Sequence, residues 1–382
     1  MRVSVVSGVT RPVGALIHAA KLTEALVAAG ITARRVAVAD AVDGRVDQDI
    51  HVVRLTAVDE EGRGDPAQLA EAVAAAADGV IDIGHAEDPI AARALFRLRA
   101  EGRVRAVVVS VHHLEVTSEF EAEQRVQESL LWADAVVCAS RWWADRVERE
   151  FNVTPRVVPH GVDIARFAGV VEDRSAAGAA FGWGDRPVIL AMGGVQPRKG
   201  SRVLLEAFAR ARARLGPDAL LVVAGVGDRP EFHADWTDDA ARLGVRIAVA
   251  GAGLAEADVL ELGIVDHANM PLLYRASDVL VTPSTREGFG LVALEAAASG
   301  IPNVMSDLPV FAEHFTDGES CLTAVAGDSG SLAIAIVRAV RETAIRERVI
   351  DGARAVVADL SWTACARRHV ELYRELAVTA AG

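Results

Sequence analysis

Val188-Ile189-Leu190-Ala191-Met192 runs into Gly193-Gly194-Val195-Gln196-Pro197-Arg198-Lys199-Gly200 and then into the amphipathic stretch Ser201–Leu215. The order predicts a buried strand, a glycine-bearing loop and a helix. It occurs a second time at the start of the chain, where Val3–Ser7 is followed by Gly8-Val9-Thr10-Arg11-Pro12-Val13-Gly14 and a helix. A helix N-terminus opening from such a loop is a ready phosphate site, because unpaired N–H groups and the helix dipole point at the ligand. Strand–glycine–helix openings are common singly. Two of them predict a ligand held between two similarly built halves.

The rest of the chain repeats this grammar. Before residue 160 the strand candidates are Arg2–Ser7, Arg34–Ala39, Ile50–Leu55, Val80–Ile83, Arg105–Val111, Ala135–Ala139 and Arg156–Pro159. Amphipathic segments such as Gly14–Ala29, Pro66–Ala77, Pro89–Arg99 and Ser118–Ala133 lie between them. Strands alternating with helices of this length predict parallel sheets covered on both faces. Around 161–185 periodic hydrophobics give way to Gly, Ala, Ser and Asp, which reads as a linker. Strands then resume at Val188–Met192, Ala219–Ala224, Arg246–Ala250, Val279–Thr282 and Asn303–Met305, with helices near 201–215, 291–299 and 330–349. At 382 residues, two α/β domains are expected.

Composition narrows the function. The chain is 51% hydrophobic and 24% charged, as globular enzymes are. No apolar run approaches the ~18 residues that span a bilayer, and Met1–Gly8 is too short for a secretory h-region, which predicts a cytoplasmic protein. Cys138, Cys321 and Cys365 are widely spaced, odd in number and free of CxxC, which predicts neither disulfides nor a zinc site. The net charge of −13 divides as −6 before residue 169 and −7 after it, so neither half is expected to bind nucleic acid. The same balance gives no support to docking on an anionic membrane. Of forty basic residues only Lys21 and Lys199 are lysines. Where Arg is the default, a Lys in a glycine-flanked loop points to a site that wants a compact ammonium.

Ser284-Thr285-Arg286-Glu287-Gly288-Phe289-Gly290-Leu291-Val292-Ala293-Leu294-Glu295-Ala296 carries the most chemistry. Gly288 and Gly290 open a helix whose free amides, at Gly290, Leu291 and Val292, can cradle a diphosphate. Glu295, one turn in, can accept from ribose hydroxyls. Glu287, in the loop, can contact sugar hydroxyls beyond the phosphates. Taken singly, each acid also reads as an ordinary solvated carboxylate.

The segment, with its second Glu followed by Ala296-Ala297-Ala298-Ser299-Gly300-Ile301-Pro302, resembles retaining GT-B glycosyltransferases of family 4. Leu273–Ser284, Val158-Pro159-His160-Gly161-Val162-Asp163 and Asp134–Ser140 are similar to other parts of that family, in the same order along nearly the whole chain. The resemblance implies two Rossmann-like doubly wound parallel-sheet domains facing across a cleft: residues 1–168 for the acceptor and 169–360 for the donor. A C-terminal helix over 361–380 would cross back onto the first and couple closure to binding. It implies transfer with retention from a nucleoside-diphosphate sugar, hexosyl transfer foremost, to a small-molecule, glycan or glycolipid hydroxyl. No other cofactor is implied, and without a DxD-like motif no metal is expected.

Residue by residue, the resemblance assigns Lys199, with Arg198 beside it, to the donor diphosphate and His112 to the transferred sugar. Glu287 joins them as a catalytic residue. Phe289, Gly290, Leu291, Val292 and Glu295 fall on the donor, and the backbone of Ile264 and Val265 on its base. Gly14 is the loop glycine that lets backbone approach the diphosphate, and His113 a local hydrogen-bonding residue. Two departures stand out: Gly194 where the family often has Arg, and Val13 where it usually has Gly. Glu119, Glu121 and Glu123 read as a solvated helix start. Two other functions remain open: an NAD(P)-dependent oxidoreductase, with Asp40 as its ribose acid but no G-x-G-x-x-G, and a catalytically silent sugar-nucleotide-binding protein on the same fold.

Overall fold

The computed structural model describes residues 1–9, 13–38, 51–53, 63–112, 114, 120–227, 229–251 and 256–379. The chain divides into two compact units, Met1–Gly161 with Leu360–Gly382, and Val162–Asp359.

The first unit is a parallel sheet of β1 (Arg2–Ser7), β2 (Thr32–Val38), β3 (His51–Val53), β4 (Ile81–Ala86), β5 (Val104–Val111), β6 (Ala135–Cys138) and β7 (Arg156–Val157), in the order β3-β2-β1-β4-β5-β6-β7. Successive side chains enter opposite faces, and both faces are apolar. Val6, Val107 and Val109 pack with the helices Pro66–Ala76 and Pro89–Ala100. Val5, Ile83 and Val108 pack with Leu22, Leu26 and Tyr373 from the helices Val13–Ala28 and Trp362–Thr379. The C-terminal helix is therefore part of this unit's core. Gly161 admits its start, since a β-carbon there would lie 2.2 Å from the Trp362 nitrogen.

The second unit is also parallel: β8 (Val188–Met192), β9 (Leu220–Ala224), β10 (Ile247–Val249), β11 (Val259–Gly263), β12 (Val279–Thr282), β13 (Asn303–Ser306) and β14 (Leu322–Ala324), ordered β10-β11-β9-β8-β12-β13-β14. Both sheets reverse direction of winding beside their first strand, between β1 and β4 and between β8 and β12. At such switch points the loops leaving the strands' carboxyl ends part, and ligands of open α/β sheets bind there.

The structure corrects several readings. β11 and β14 were not expected from sequence; the Leu-Glu-Leu centre of β11 is weakly strand-like, and β14 is only three residues long. Within 161–185 lie two short helices, Ile164–Ala168 and Arg174–Ala180, each with an Asp cap: Asp163 accepts from the Arg166 amide and Asp173 from that of Ala176. The first of them packs on Leu291–Ser299 and so belongs to the second unit, not to the N-terminal half. The expected helix 330–349 is two helices, Ser329–Arg341 and Thr343–Ala358, broken at Glu342 with φ −99° and ψ 90°.

Candidate functional site

The switch point of the second unit is built by two glycine-bearing loops. After β8, the Gly193 and Gly194 amides both donate to the Ala224 carbonyl, at 2.7 and 2.9 Å. Both glycines have positive φ, 107° and 76°. A β-carbon at Gly193 would lie 2.9 Å from Cε of Lys199, so glycine leaves the space the lysine stem occupies. After β12, the Thr285 amide donates to the Arg198 carbonyl at 2.9 Å, which ties the second loop to the first.

Across that tie, Lys199 Nζ donates to Glu287 Oε1 at 2.6 Å. The buried Ser284 hydroxyl donates to the same oxygen at 2.7 Å, and an Arg198 guanidinium nitrogen stands 3.7 Å from Oε2. Burial alone would push the Glu287 carboxyl up, but the Lys199 charge and hydrogen bond, then Arg198 and Ser284, hold it below the usual carboxylate range. The site thus contains a carboxylate that stays ionised and fixes an ammonium in place. The helix Leu291–Ser299 starts alongside from Gly290, at φ 91°, with no side chain capping it. Its first amides have no partner within the helix itself. A β-carbon at Gly290 would lie 2.5 Å from the Phe311 ring, so both conformation and space require glycine there. Phe289 is buried edge-on to His314.

Glu295 lies one turn into this helix and belongs to a second cluster. Its Oε2 accepts from the Tyr274 hydroxyl at 2.6 Å. Arg166, whose Nη1 donates to His267 Nε2 at 2.9 Å, stands near enough to act on its charge. Burial raises the Glu295 carboxyl to about 7, against the opposing pull of Tyr274 and Arg166. Ile264 and Val265 follow the end of β11, on the same carboxyl edge of the sheet, with Ile264 exposed.

The folded Glu295 carboxyl keeps its proton up to about 7, above the reference 4.5 of an unfolded chain, so the folded state holds the extra proton between those limits. Stability contributed this way is present at low pH and lost as pH rises through 7. Glu295→Gln should therefore melt like the wild type at pH 5 and above it at pH 8, by about 1–3 kcal/mol after screening of a part-exposed group. Parallel melting curves at both pH values would contradict the assignment.

In the first unit the switch point holds a histidine-rich centre. His112, at the end of β5, has Nε2 2.7 Å from Glu87 Oε2, and His18 Nδ1 is 2.9 Å from the same oxygen. Asp88 caps Pro89–Ala100 by accepting from the Ala91 amide, and also takes the Gly8 amide at 2.7 Å. Burial raises its carboxyl to about 6, with the two amides pulling the other way. Gly14 is exposed, and a β-carbon there would meet no described residue within 4 Å. The Val13 side chain, Thr10–Pro12, Asp40, His113, Glu119 and the Glu121 side chain lie outside the described residues; Glu123 is exposed.

Sequence reasoning missed His18, Glu87 and Tyr274. The strand expected at Val80–Ile83 runs on to Ala86, which brings His85 and Glu87 to the strand end, where functional residues of α/β sheets sit. A longer strand assignment was the signal that would have found Glu87.

The structure thus has two doubly wound α/β units, and the second sets an ammonium–carboxylate pair beside a helix N-terminus that no side chain caps. Comparison with known proteins gives the family. The family model "Glycosyltransferase Family 4" matches residues 13–166, and "Glycosyl transferases group 1" matches residues 178–356. The chain belongs to family 4 of the glycosyltransferases. A D-inositol 3-phosphate glycosyltransferase of Salinispora arenicola is 32% identical over 65% of this chain and 56% of its own length. The chain thus matches little more than half of that relative. A phosphatidyl-myo-inositol mannosyltransferase of Mycobacterium leprae is 29% identical over 79% of this chain and 75% of its own. The GT-B fold is shared with sucrose-phosphate synthase of Thermosynechococcus elongatus, TM-score 0.79 and 23% identity over 99% and 100% of the two chains. It is shared equally with Anabaena Alr3699/HepE in complex with UDP and glucose, TM-score 0.79 and 20% identity over 97% and 99%. Among the described residues no helix is long and apolar enough to cross a membrane.

Proposed function

We propose that this protein is a retaining glycosyltransferase that moves a hexose from a nucleoside-diphosphate sugar to a hydroxyl acceptor. The observation that carries the reading is the Lys199 ammonium, fixed at 2.6 Å by buried Glu287 beside the open N-terminus of Leu291–Ser299. When the bond between the sugar and the diphosphate breaks, negative charge develops on the leaving phosphate. An ammonium already held in place, Arg198, and the Gly290, Leu291 and Val292 amides stabilise that charge without reorganising. The diphosphate then needs no metal ion, and no cofactor beyond the donor takes part.

Glu295 receives the donor ribose, and the backbone of Ile264 and Val265 its base. Ribose hydroxyls bonding the Glu295 carboxylate favour its ionised form. The first unit takes the acceptor. Gly14 lets backbone approach the ligand, and His112 serves the transferred sugar. With Nε2–H turned to Glu87, a neutral His112 presents its Nδ1 lone pair to a sugar hydroxyl. Glu287 is engaged with Lys199 and is not free to act as a nucleophile. Transfer therefore proceeds on the front face: the bond from the anomeric carbon to the leaving oxygen breaks, the bond to the acceptor oxygen forms on the same side, and the leaving phosphate takes the acceptor's proton.

The named relatives support a hydroxyl-rich small molecule or glycolipid as acceptor. Three buried cysteines without disulfides fit a reducing, cytoplasmic setting. The test is turnover with UDP-, GDP-, ADP- and TDP-hexoses and inositol or inositol phosphate, following nucleotide release and the anomeric configuration of the product by NMR. Retention is expected. Inversion would overturn the mechanism, and no release from any donor would favour the silent-binder reading. Family membership leaves the oxidoreductase without support.

A further inference from the structure

Five of the ten histidines, His18, His85, His112, His160 and His369, meet inside the first unit around a single carboxylate. Glu87 is wholly buried, and all its ion-pair partners among the described residues are imidazoles. Two of these converge on one oxygen: His18 Nδ1 at 2.9 Å and His112 Nε2 at 2.7 Å from Oε2. The other oxygen, Oε1, is buried without a hydrogen-bond partner among the described residues; His85 Nε2 is 3.9 Å away and bonds Ser110 instead, at 2.7 Å. Among the described residues no Lys or Arg pairs with this carboxylate, and its second oxygen lacks compensation.

We propose that His18, Glu87 and His112 form a binding site for a divalent transition-metal ion, zinc by the character of the donors. His18 Nδ1, His112 Nε2 and a Glu87 oxygen lie within 4.8 Å of one another. Two imidazoles and a carboxylate are a zinc donor set that leaves a fourth position open. The ion supplies the positive charge that Glu87 lacks, with one carboxylate oxygen as its ligand. With bonds of about 2.0–2.2 Å, tetrahedral ligand atoms stand roughly 3.3–3.5 Å apart, so each nitrogen draws back from the oxygen by about half an ångström. On binding, each neutral imidazole keeps its proton by carrying it on the other ring nitrogen. The donors come from the helix Val13–Ala28 and the ends of β4 and β5, which hold them in register. The His160 ring lies close to both imidazoles, 4.3 Å from that of His18 and 5.4 Å from that of His112. This site is in the first unit and does not rest on the transferase reading; with the ion bound to Nε2, His112 would turn Nδ1–H, instead of a lone pair, to a sugar oxygen.

The test uses the full chain, stripped with chelator, dialysed, and titrated with cobalt(II). A visible d–d band of a four-coordinate nitrogen–oxygen site, saturating at one ion per chain and displaced by zinc, is expected. Glu87→Gln, which keeps the shape but removes the charge, and His18→Ala should weaken binding on the order of a hundredfold or more. His233→Ala removes the exposed His233–Glu261 pair and should leave the band intact. Circular dichroism verifies that the variants fold; should His18→Ala not fold, Glu87→Gln decides. No band and no zinc-dependent rise in melting temperature in the wild type, or a band unchanged in Glu87→Gln, would overturn the proposal.

Discussion

Lys199→Ala is expected to lower kcat/KM for sugar transfer by about 100- to 1000-fold, the usual cost of losing one preorganised group that stabilises charge in a transition state. The lysine has a second job that must be separated from the first. Without it, buried Glu287 loses its 2.6 Å ammonium partner, while Ser284 at 2.7 Å and Arg198 at 3.7 Å stay beside it. Removing one partner of a buried pair costs more than removing both. The single variant should therefore also melt lower, by about 2–4 kcal/mol of stability. Replacing both, Lys199→Met with Glu287→Gln, should restore the melting temperature and leave turnover as low as in the single variant. Recovery of turnover together with stability would mean that Lys199 is a structural residue only.

Gly194→Arg should destabilise the second unit, although it installs the residue the family often carries there. Position 194 has φ 76°, and a β-carbon on it would lie 2.4 Å from the Val226 carbonyl carbon and 2.7 Å from the Gly227 nitrogen. Both obstacles are backbone, which cannot swing aside as a side chain can. A non-glycine residue in the left-handed region costs about 1–3 kcal/mol, and the forced shift of a packed loop about as much again. The sum, roughly 2–6 kcal/mol, corresponds to a fall of about 5–20 °C in a unit of this size. The missing arginine is thus matched by a loop that has closed on its place. Arg198, on the next turn of the same loop, stands beside Glu287 and adds the second cation. A variant that melts like the wild type would show that the 226–227 loop yields.

Both sheets were readable because their strands are continuous apolar runs punctuated by glycine, a pattern that burial on two faces imposes. Lys199 was readable as an exception in an arginine-rich chain. Its contact with Glu287, 88 residues away, was not. Sequence placed Lys199 at the donor diphosphate and Glu287 at sugar hydroxyls beyond it, and only the folded loops show that the carboxylate anchors the ammonium. Glu295 was read as a ribose ligand, yet its hydrogen bond to Tyr274 depends on a helix, Met270–Arg275, that no periodicity announced. The histidine centre was the least readable. His18, His85, His112, His160 and His369 come from five separate segments, and each alone looks like an ordinary core histidine. The short helices over 164–180 were hidden for another reason: they are under two turns long, so their Asp caps were the signal and hydrophobic periodicity was not.

The central claim is that the second unit's switch point holds a nucleoside diphosphate. Thermal denaturation against UDP, GDP, ADP, TDP, NAD and NADP, with the Lys199→Met, Glu287→Gln double variant as control, tests it most directly. At a hundred times its dissociation constant a ligand stabilises by about 2.7 kcal/mol, or several degrees for a domain of this size. One nucleoside diphosphate should raise the melting temperature of the wild type by that amount and leave the double variant unmoved. A shift with none of the diphosphates, with a dinucleotide alone, or of equal size in the double variant would contradict the account.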